Sequence, residues 1–150
     1  MTFRLSKRSR TNLVGVNPQL VAVVERAIQI TTVDFAVTEG LRTEARQREL
    51  VAKGASQTMN SKHLKGEAVD LVAFIGGRIS WELNLYDEIA DAMRLAALEG
   101  NTAIRWGAAW NVPDIRHWSG TMEEAMHHYV DARRKLGQRP FIDAPHFEMV

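Results

Sequence analysis

Apolar residues recur at helical spacing from Asn17-Pro18 onward. Leu20, Val21, Val24, Ala27 and Ile28 mark one face of a helix running to about Ile30, with Asn17 as its cap and Pro18 at its first position. Asp34 to Glu39 alternates instead, which predicts a strand ended by Gly40. Thr43 to Lys53 reads as a polar helix stopped by Gly54, and Ala55 to Lys62 as a loop of small and polar residues without period. The strongest strand signal is Glu67 to Ile75, followed by a Gly76-Gly77 hairpin into Arg78-Ile79-Ser80. Leu85, Ile89, Met93 and Ala96 share one face of a long helix from about Leu83 to Glu99, closed by Gly100. Thr102 to Trp106 is a short strand. Thr121-Met122-Glu123-Glu124 is a capping box opening a helix to roughly Leu136, and Pro145 to Val150 is a last strand. Strands and helices in mixed order, without repeats, predict one α+β domain over residues 1–150.

Composition narrows the chemistry. The chain is 45% apolar and 25% charged, ordinary for a soluble domain that buries a real core. Nineteen Lys and Arg against eighteen Asp and Glu leave a net charge of +1, so no overall field attracts nucleic acid. With no Cys, disulfides and thiolate metal sites are excluded, and any metal must be held by imidazole, carboxylate and water. The basic N-terminus, with Arg4, Lys7, Arg8 and Arg10, leads into Val14-Gly15-Val16-Asn17-Pro18 rather than a signal-peptide core. No run is long enough to span a membrane, so the expectation is a soluble product made in the cytoplasm.

Chemistry concentrates in two stretches. Ser61-Lys62-His63-Leu64-Lys65-Gly66-Glu67-Ala68-Val69-Asp70 places a His before a strand and a carboxylate inside it. Asp70 among Ala68, Val69, Leu71 and Val72 is costly to bury unless paired or metal-bound. A straight strand would carry Asp70 away from His63, so a turn at Gly66 is needed to bring them together. Asp143-Ala144-Pro145-His146-Phe147-Glu148 adds a second imidazole, with Glu148 on the same strand face as His146. Of the five His, the adjacent His127 and His128 diverge on a helix and His117 sits in a loop, so all three read as surface residues.

Spacing alone makes two His and one Asp a candidate metal site; the competing reading is a buried ion pair at Asp70 and incidental polar residues near Val150. The motifs together say more. Ser61-x-His63-x-x-Gly66-x-Ala68-x-Asp70 and Asp143-x-x-His146 are joined by Asp34-Phe35, Glu39-Gly40-Leu41-Arg42-Thr43 and Arg105-Trp106-Gly107-Ala108-Ala109-Trp110-Asn111. This set resembles the zinc D,D-carboxypeptidase and L-alanyl-D-glutamate peptidase superfamily of cell-wall enzymes (peptidase M15 type), and more closely its single-domain phage endolysins.

The resemblance implies a small, mainly antiparallel sheet flanked by helices, of the Hedgehog/DD-peptidase-like kind. It implies Zn2+ held by His63, Asp70 and His146, Asp143 as the catalytic carboxylate, and Arg42 in the active site. Without it, Arg42 reads as a surface ion pair with Glu39 or Glu44. Ser61 opens the motif and is a candidate substrate contact; Trp106 and Trp110, flanking the Gly-Ala-Ala turn, are expected to line the cleft. The implied partner is bacterial peptidoglycan, cut between L-Ala and D-Glu by a monomer that waits in the host cytoplasm until it is released to the wall. The rivals are a D-Ala-D-Ala carboxypeptidase or dipeptidase on the same scaffold and a non-catalytic zinc-containing wall-binding module; the latter has no need of Asp143. The segment at about 112–140, with its helix, departs from the shorter endolysins as an insert that could act as a lid, a wall-binding surface or inert packing.

Overall fold

The computed structural model describes residues 2–150. The elements are α1 (Lys7–Asn12), α2 (Pro18–Ile30), β1 (Asp34–Glu39), α3 (Glu44–Ala52), β2 (Ala68–Ile75), β3 (Arg78–Ser80), α4 (Leu83–Glu99), β4 (Ile104–Trp106), α5 (Met122–Lys135) and β5 (His146–Met149). Short 3-10 turns cover Lys62–Lys65 and Ile115–His117. All strand pairs are antiparallel, in the order β1-β2-β5-β4, with β3 paired to the far end of β2. The α+β architecture is the expected one; the strands expected at 67–75 and 102–106 begin one and two residues later, and the one expected at 145–150 loses one residue at each end.

Alternation decides which face of the sheet is which. Phe35 and Val37 of β1, Val69, Leu71 and Ala73 of β2, and Phe147 of β5 join one core with the buried faces of α2 and α4. Leu20, Val24 and Ala27 of α2 and Ile89 and Met93 of α4 are fully buried there, as their spacing requires. The intervening residues of β2, Asp70 among them, point to the opposite face. The capping box of α5 forms as expected, and the helix buries Met122, Ala125, Met126 and Tyr129 against the body, packing on α4. At the hairpin, Gly76 and Gly77 both have positive φ, 58° and 79°, which suits a tight two-residue turn.

One element has no counterpart in the apolar pattern. Residues 7–12, expected only as a basic segment, form α1, capped by Ser6, whose hydroxyl accepts from the Ser9 amide at 3.1 Å. Its inner face is polar: Ser9 Oγ accepts from the Val37 amide at 2.9 Å, and Asn12 Nδ2 donates to the Val37 carbonyl at 2.9 Å. The helix thereby covers the outer edge of β1, an exposed ladder that would otherwise invite pairing with another chain. Lys7, Arg8 and Arg10 remain exposed.

Asp87 is buried on α4, and burial, then Glu123, Glu88 and Asp91, push its carboxyl up to about 6. A folded-state pKa above the unfolded value means the native chain holds this proton more tightly. Stability from this group is therefore fully present at low pH and lost as pH rises from about 4 to about 6. The rise corresponds to at most roughly 3 kcal/mol, and solvent screening of the exposed Glu88 and Glu123 leaves about 1 kcal/mol. Asp87→Asn is expected to raise Tm by about 3 °C at pH 7 and by nothing measurable below pH 4. Equal shifts in thermal unfolding at the two pH values would contradict this origin.

Candidate metal centre

Two backbone devices bring three side chains to one point. Ser61 caps the 3-10 turn at Lys62–Lys65, accepting from the His63 amide at 3.2 Å, and Gly66 ends it in a left-handed conformation with φ 69°. A Cβ at Gly66 would lie 2.5 Å from the Gly15 carbonyl oxygen, so a side chain is excluded by space as well as by φ. The Gly66 carbonyl accepts from the Asn17 amide at 2.8 Å, which fixes the turn against the start of α2. The second device is strand pairing. Asp70 of β2 stands directly opposite His146 of β5, placing their side chains side by side on one face of the sheet.

The three ligand-type atoms lie within 4.8 Å of one another. His63 Nε2 is 3.3 Å and His146 Nδ1 3.4 Å from Asp70 Oδ1. Donor atoms held 2.0–2.2 Å from a tetrahedral zinc are roughly 3.4 Å apart, so this spacing fits a zinc ion. His63 Nε2 and Asp70 Oδ1 are buried and have no hydrogen-bond partner, an arrangement a folded protein tolerates rarely. Buried lone-pair atoms converging on one point with no hydrogen between them are what a metal would satisfy.

The outer contacts set the tautomers. His63 Nδ1–H donates to the Gly40 carbonyl at 2.8 Å, leaving the Nε2 lone pair turned inward. His146 Nε2–H donates to Glu148 Oε1 at 2.8 Å, leaving Nδ1 facing Asp70. Burial works against charge on His146, but the neighbouring Asp70 carboxylate and the hydrogen bond to Glu148 win and raise it to about 9. Burial likewise opposes ionisation of Asp70, and the His146 and His63 imidazoles beside it overcome this, holding the carboxyl well below its ordinary range.

Asp143 joins the cleft without joining the triad. Its backbone is locked to the loop after β4: the Asp143 amide donates to the Gly107 carbonyl at 2.8 Å, and the Gly107 amide to the His146 carbonyl at 2.8 Å. A Cβ at Gly107 would fall 2.2 Å from the Asp143 carbonyl oxygen, so only glycine permits this approach. Burial, then the charge of Asp70, push the Asp143 carboxyl above its ordinary value.

Arg42 pairs with Glu39, as the plain reading of the sequence allows, but not at the surface: its side chain is 7% exposed. Nε and Nη2 donate to the two Glu39 oxygens at 2.7 and 2.8 Å, Nη1 donates to Gln47 Oε1 at 2.6 Å, and Nη2 lies 3.7 Å from Asp70 Oδ2. An irregularity in β1 between Val37 and Glu39 turns Glu39 opposite Asp70, so a bulge aims this carboxylate into the site.

The cleft holds about 460 Å³. Arg42, Ser61, His63, Asp70, Trp110, Asp143 and His146 all line it, so these expected site residues meet in one place. Trp106 does not. It is fully buried in the core, stacked on Phe147 with ring centres 6.3 Å apart, and its Nε1 donates to the Ala144 carbonyl at 2.7 Å. Strand alternation in β4 sends it inward, which corrects its expected place in the cleft. Trp110 stacks instead on the exposed Phe141 at 6.3 Å and leans on His146 at 5.6 Å. Gln47 escaped the sequence reading because it sits in a helix with no apolar stripe. His117, His127 and His128 are exposed, apart from the site.

The family model for phage L-alanyl-D-glutamate peptidases matches residues 1–150. The L-alanyl-D-glutamate peptidase of Escherichia phage T5 is 33% identical over 121 residues, covering 78% of this chain and 88% of that protein. The L-alanyl-D-glutamate peptidase of Listeria phage A118 is 32% identical over 79 residues, covering 53% of this chain and 27% of the phage protein. The crystal structure of the L-Ala D-Glu endopeptidase ChiX from Serratia marcescens is similar at a TM-score of 0.74 and 38% identity, covering 99% of this chain and 91% of that one.

Proposed function

The chain belongs to the phage L-alanyl-D-glutamate peptidase family, and from that premise we propose a zinc-dependent endolysin that hydrolyses the L-Ala–D-Glu bond of the peptidoglycan stem peptide. The observation that carries the metal is the pair of buried, unpartnered atoms, His63 Nε2 and Asp70 Oδ1, facing His146 Nδ1. In this reading His63, Asp70 and His146 hold the ion, Asp70 through Oδ1 while Oδ2 faces Arg42. When bound, zinc supplies Lewis acidity, polarising the peptide carbonyl and making water acidic enough to attack at neutral pH.

The chain's own residues do the rest. Asp143 accepts the proton of the attacking water and returns it to the leaving amine of D-Glu, a task suited to a carboxyl of raised pKa beside the triad. Arg42 keeps N–H groups on Nη1 and Nη2 beyond those used by Glu39 and Gln47, and these face the developing negative charge on the carbonyl oxygen. Ser61 lies on the cleft wall as a substrate contact, and Trp110 with Phe141 forms an aromatic wall beside His146. Glu148 and Gly40 hold the two imidazoles in register.

Among the described residues no helix is long and apolar enough to cross a membrane. The proposal extends to a monomer that stays in the host cytoplasm until the membrane is breached and then acts on the wall. The test is digestion of purified peptidoglycan with and without chelator, the new termini being identified by mass spectrometry. New D-Glu amino termini that vanish with chelator and return with added zinc are expected. Release of free D-Ala would favour the carboxypeptidase reading instead.

A further inference from the structure

Helix α3 forms one wall of the cleft together with the loop that follows it, yet it has almost no apolar face. Gln47 is its one buried residue and is fully inaccessible. A helix is ordinarily held to its domain by an apolar stripe; here a single amide occupies that place. Its two ends have different partners. Oε1 accepts from Arg42 Nη1 at 2.6 Å, while Nε2 donates to Ser56 Oγ at 2.8 Å and to the Thr58 carbonyl. Ser56 and Thr58 line the same cleft as Trp110 and Phe141. The Ala55 and Ser56 amides bond back to the Leu50 carbonyl at 2.8 and 3.1 Å, so the helix end and the loop form one unit.

Arg42 can only donate, and the Thr58 carbonyl can only accept, so a residue joining them must offer an acceptor at one end and a donor at the other. Glutamine does so; glutamate offers acceptors alone, and methionine fills the same space with neither. We propose that Gln47 is a positioning residue of the hydrolytic site, whose amide couples the Ala55–Asn60 wall to the Arg42 guanidinium and so sets the width of the cleft and the aim of Arg42 together. The kinetic part of this inference rests on the peptidase reading above; the structural part does not.

Two variants and two readouts test it on the full chain: steady-state kinetics on a stem-peptide substrate, and amide hydrogen exchange by mass spectrometry. Gln47→Met removes both ends at constant volume. It is expected to lower kcat/KM at least about tenfold, through both kcat and KM, and to speed exchange across residues 44–60 while α2 and α4 keep wild-type protection; tenfold is the scale of one lost buried hydrogen bond. Gln47→Glu keeps the acceptor for Arg42 and loses the donor to the wall. It is expected to speed exchange at residues 55–60 and raise KM about fivefold while kcat stays within about twofold, for the same reason. Unchanged exchange with kinetics within twofold in Gln47→Met would overturn the proposal. So would an even loss of protection through α2 and α4, which would make Gln47 a general stability residue. If the wild-type protein released no D-Glu termini, the peptidase reading would fail while the exchange comparison still decided the coupling.

Discussion

The Asp143→Asn variant is expected to lose about 10²–10⁴ in kcat while keeping one zinc per chain, the range associated with removing a general acid–base group. The substitution changes two atoms' chemistry and nothing of the backbone lock, since the amide of residue 143 still donates to Gly107 and its carbonyl still accepts from the His146 amide. Stability should not fall. The Asp143 carboxyl is held above its ordinary pKa by burial and by Asp70, so the ionised group is a net liability in the folded, metal-free chain at neutral pH. Its contribution is most favourable below the ordinary carboxyl range and declines as pH rises through the raised folded value; an amide removes that decline. Thermal unfolding of the metal-free variant at pH 7 should therefore occur at or slightly above the wild-type temperature. A loss of zinc together with activity would make Asp143 a ligand, and a loss of activity below threefold would deny it the proton-transfer role.

The periodic elements were legible in the amino-acid sequence because each rests on a local rule. α2 and α4 show their apolar faces every three or four residues, α5 announces itself by Thr121 and Glu124, and the hairpin by Gly76-Gly77. The motif around His63 and Asp70 was legible for the same reason: a capped turn, a left-handed Gly66 and the start of a strand follow one another in the ten residues from Ser61 to Asp70. The pairing of Asp70 with His146 was not, because register between segments more than seventy residues apart has no local signature. α1 escaped for a related reason, whereas α3 is marked by its polar run and Gly54 and only its mode of attachment was hidden. α1 attaches through Ser9 and Asn12 to Val37 in another element, and α3 through Gln47 to the loops on either side of it; these are polar contacts, and periodicity counts only apolar residues. Trp106 was misplaced because a Trp near a predicted cleft fits either face of a three-residue strand until the register is known.

Truncation after Ile142 is expected to abolish activity and cooperative folding together, a larger effect than any single substitution. The eight residues removed include β5, which is an interior strand: β2 lies on one side of it and β4 on the other. Without it β4 has no neighbour in the sheet, and Trp106 loses both the Phe147 ring and the Ala144 carbonyl. Phe147 is fully buried, and deleting such a side chain alone costs about 3–5 kcal/mol. The lost backbone bonds include Leu71 to Pro145, Gly107 to His146 and Met149 to Glu67, each worth about 1 kcal/mol net and more where a buried partner is left unpaired. Together these match the about 5–15 kcal/mol that holds a domain of this size folded. Loss of the sigmoidal unfolding transition by circular dichroism, with zinc binding at background, is the expected outcome. If the shortened chain kept cooperative unfolding and lost only zinc and activity, the last strand would serve the site alone and the sheet would close without it.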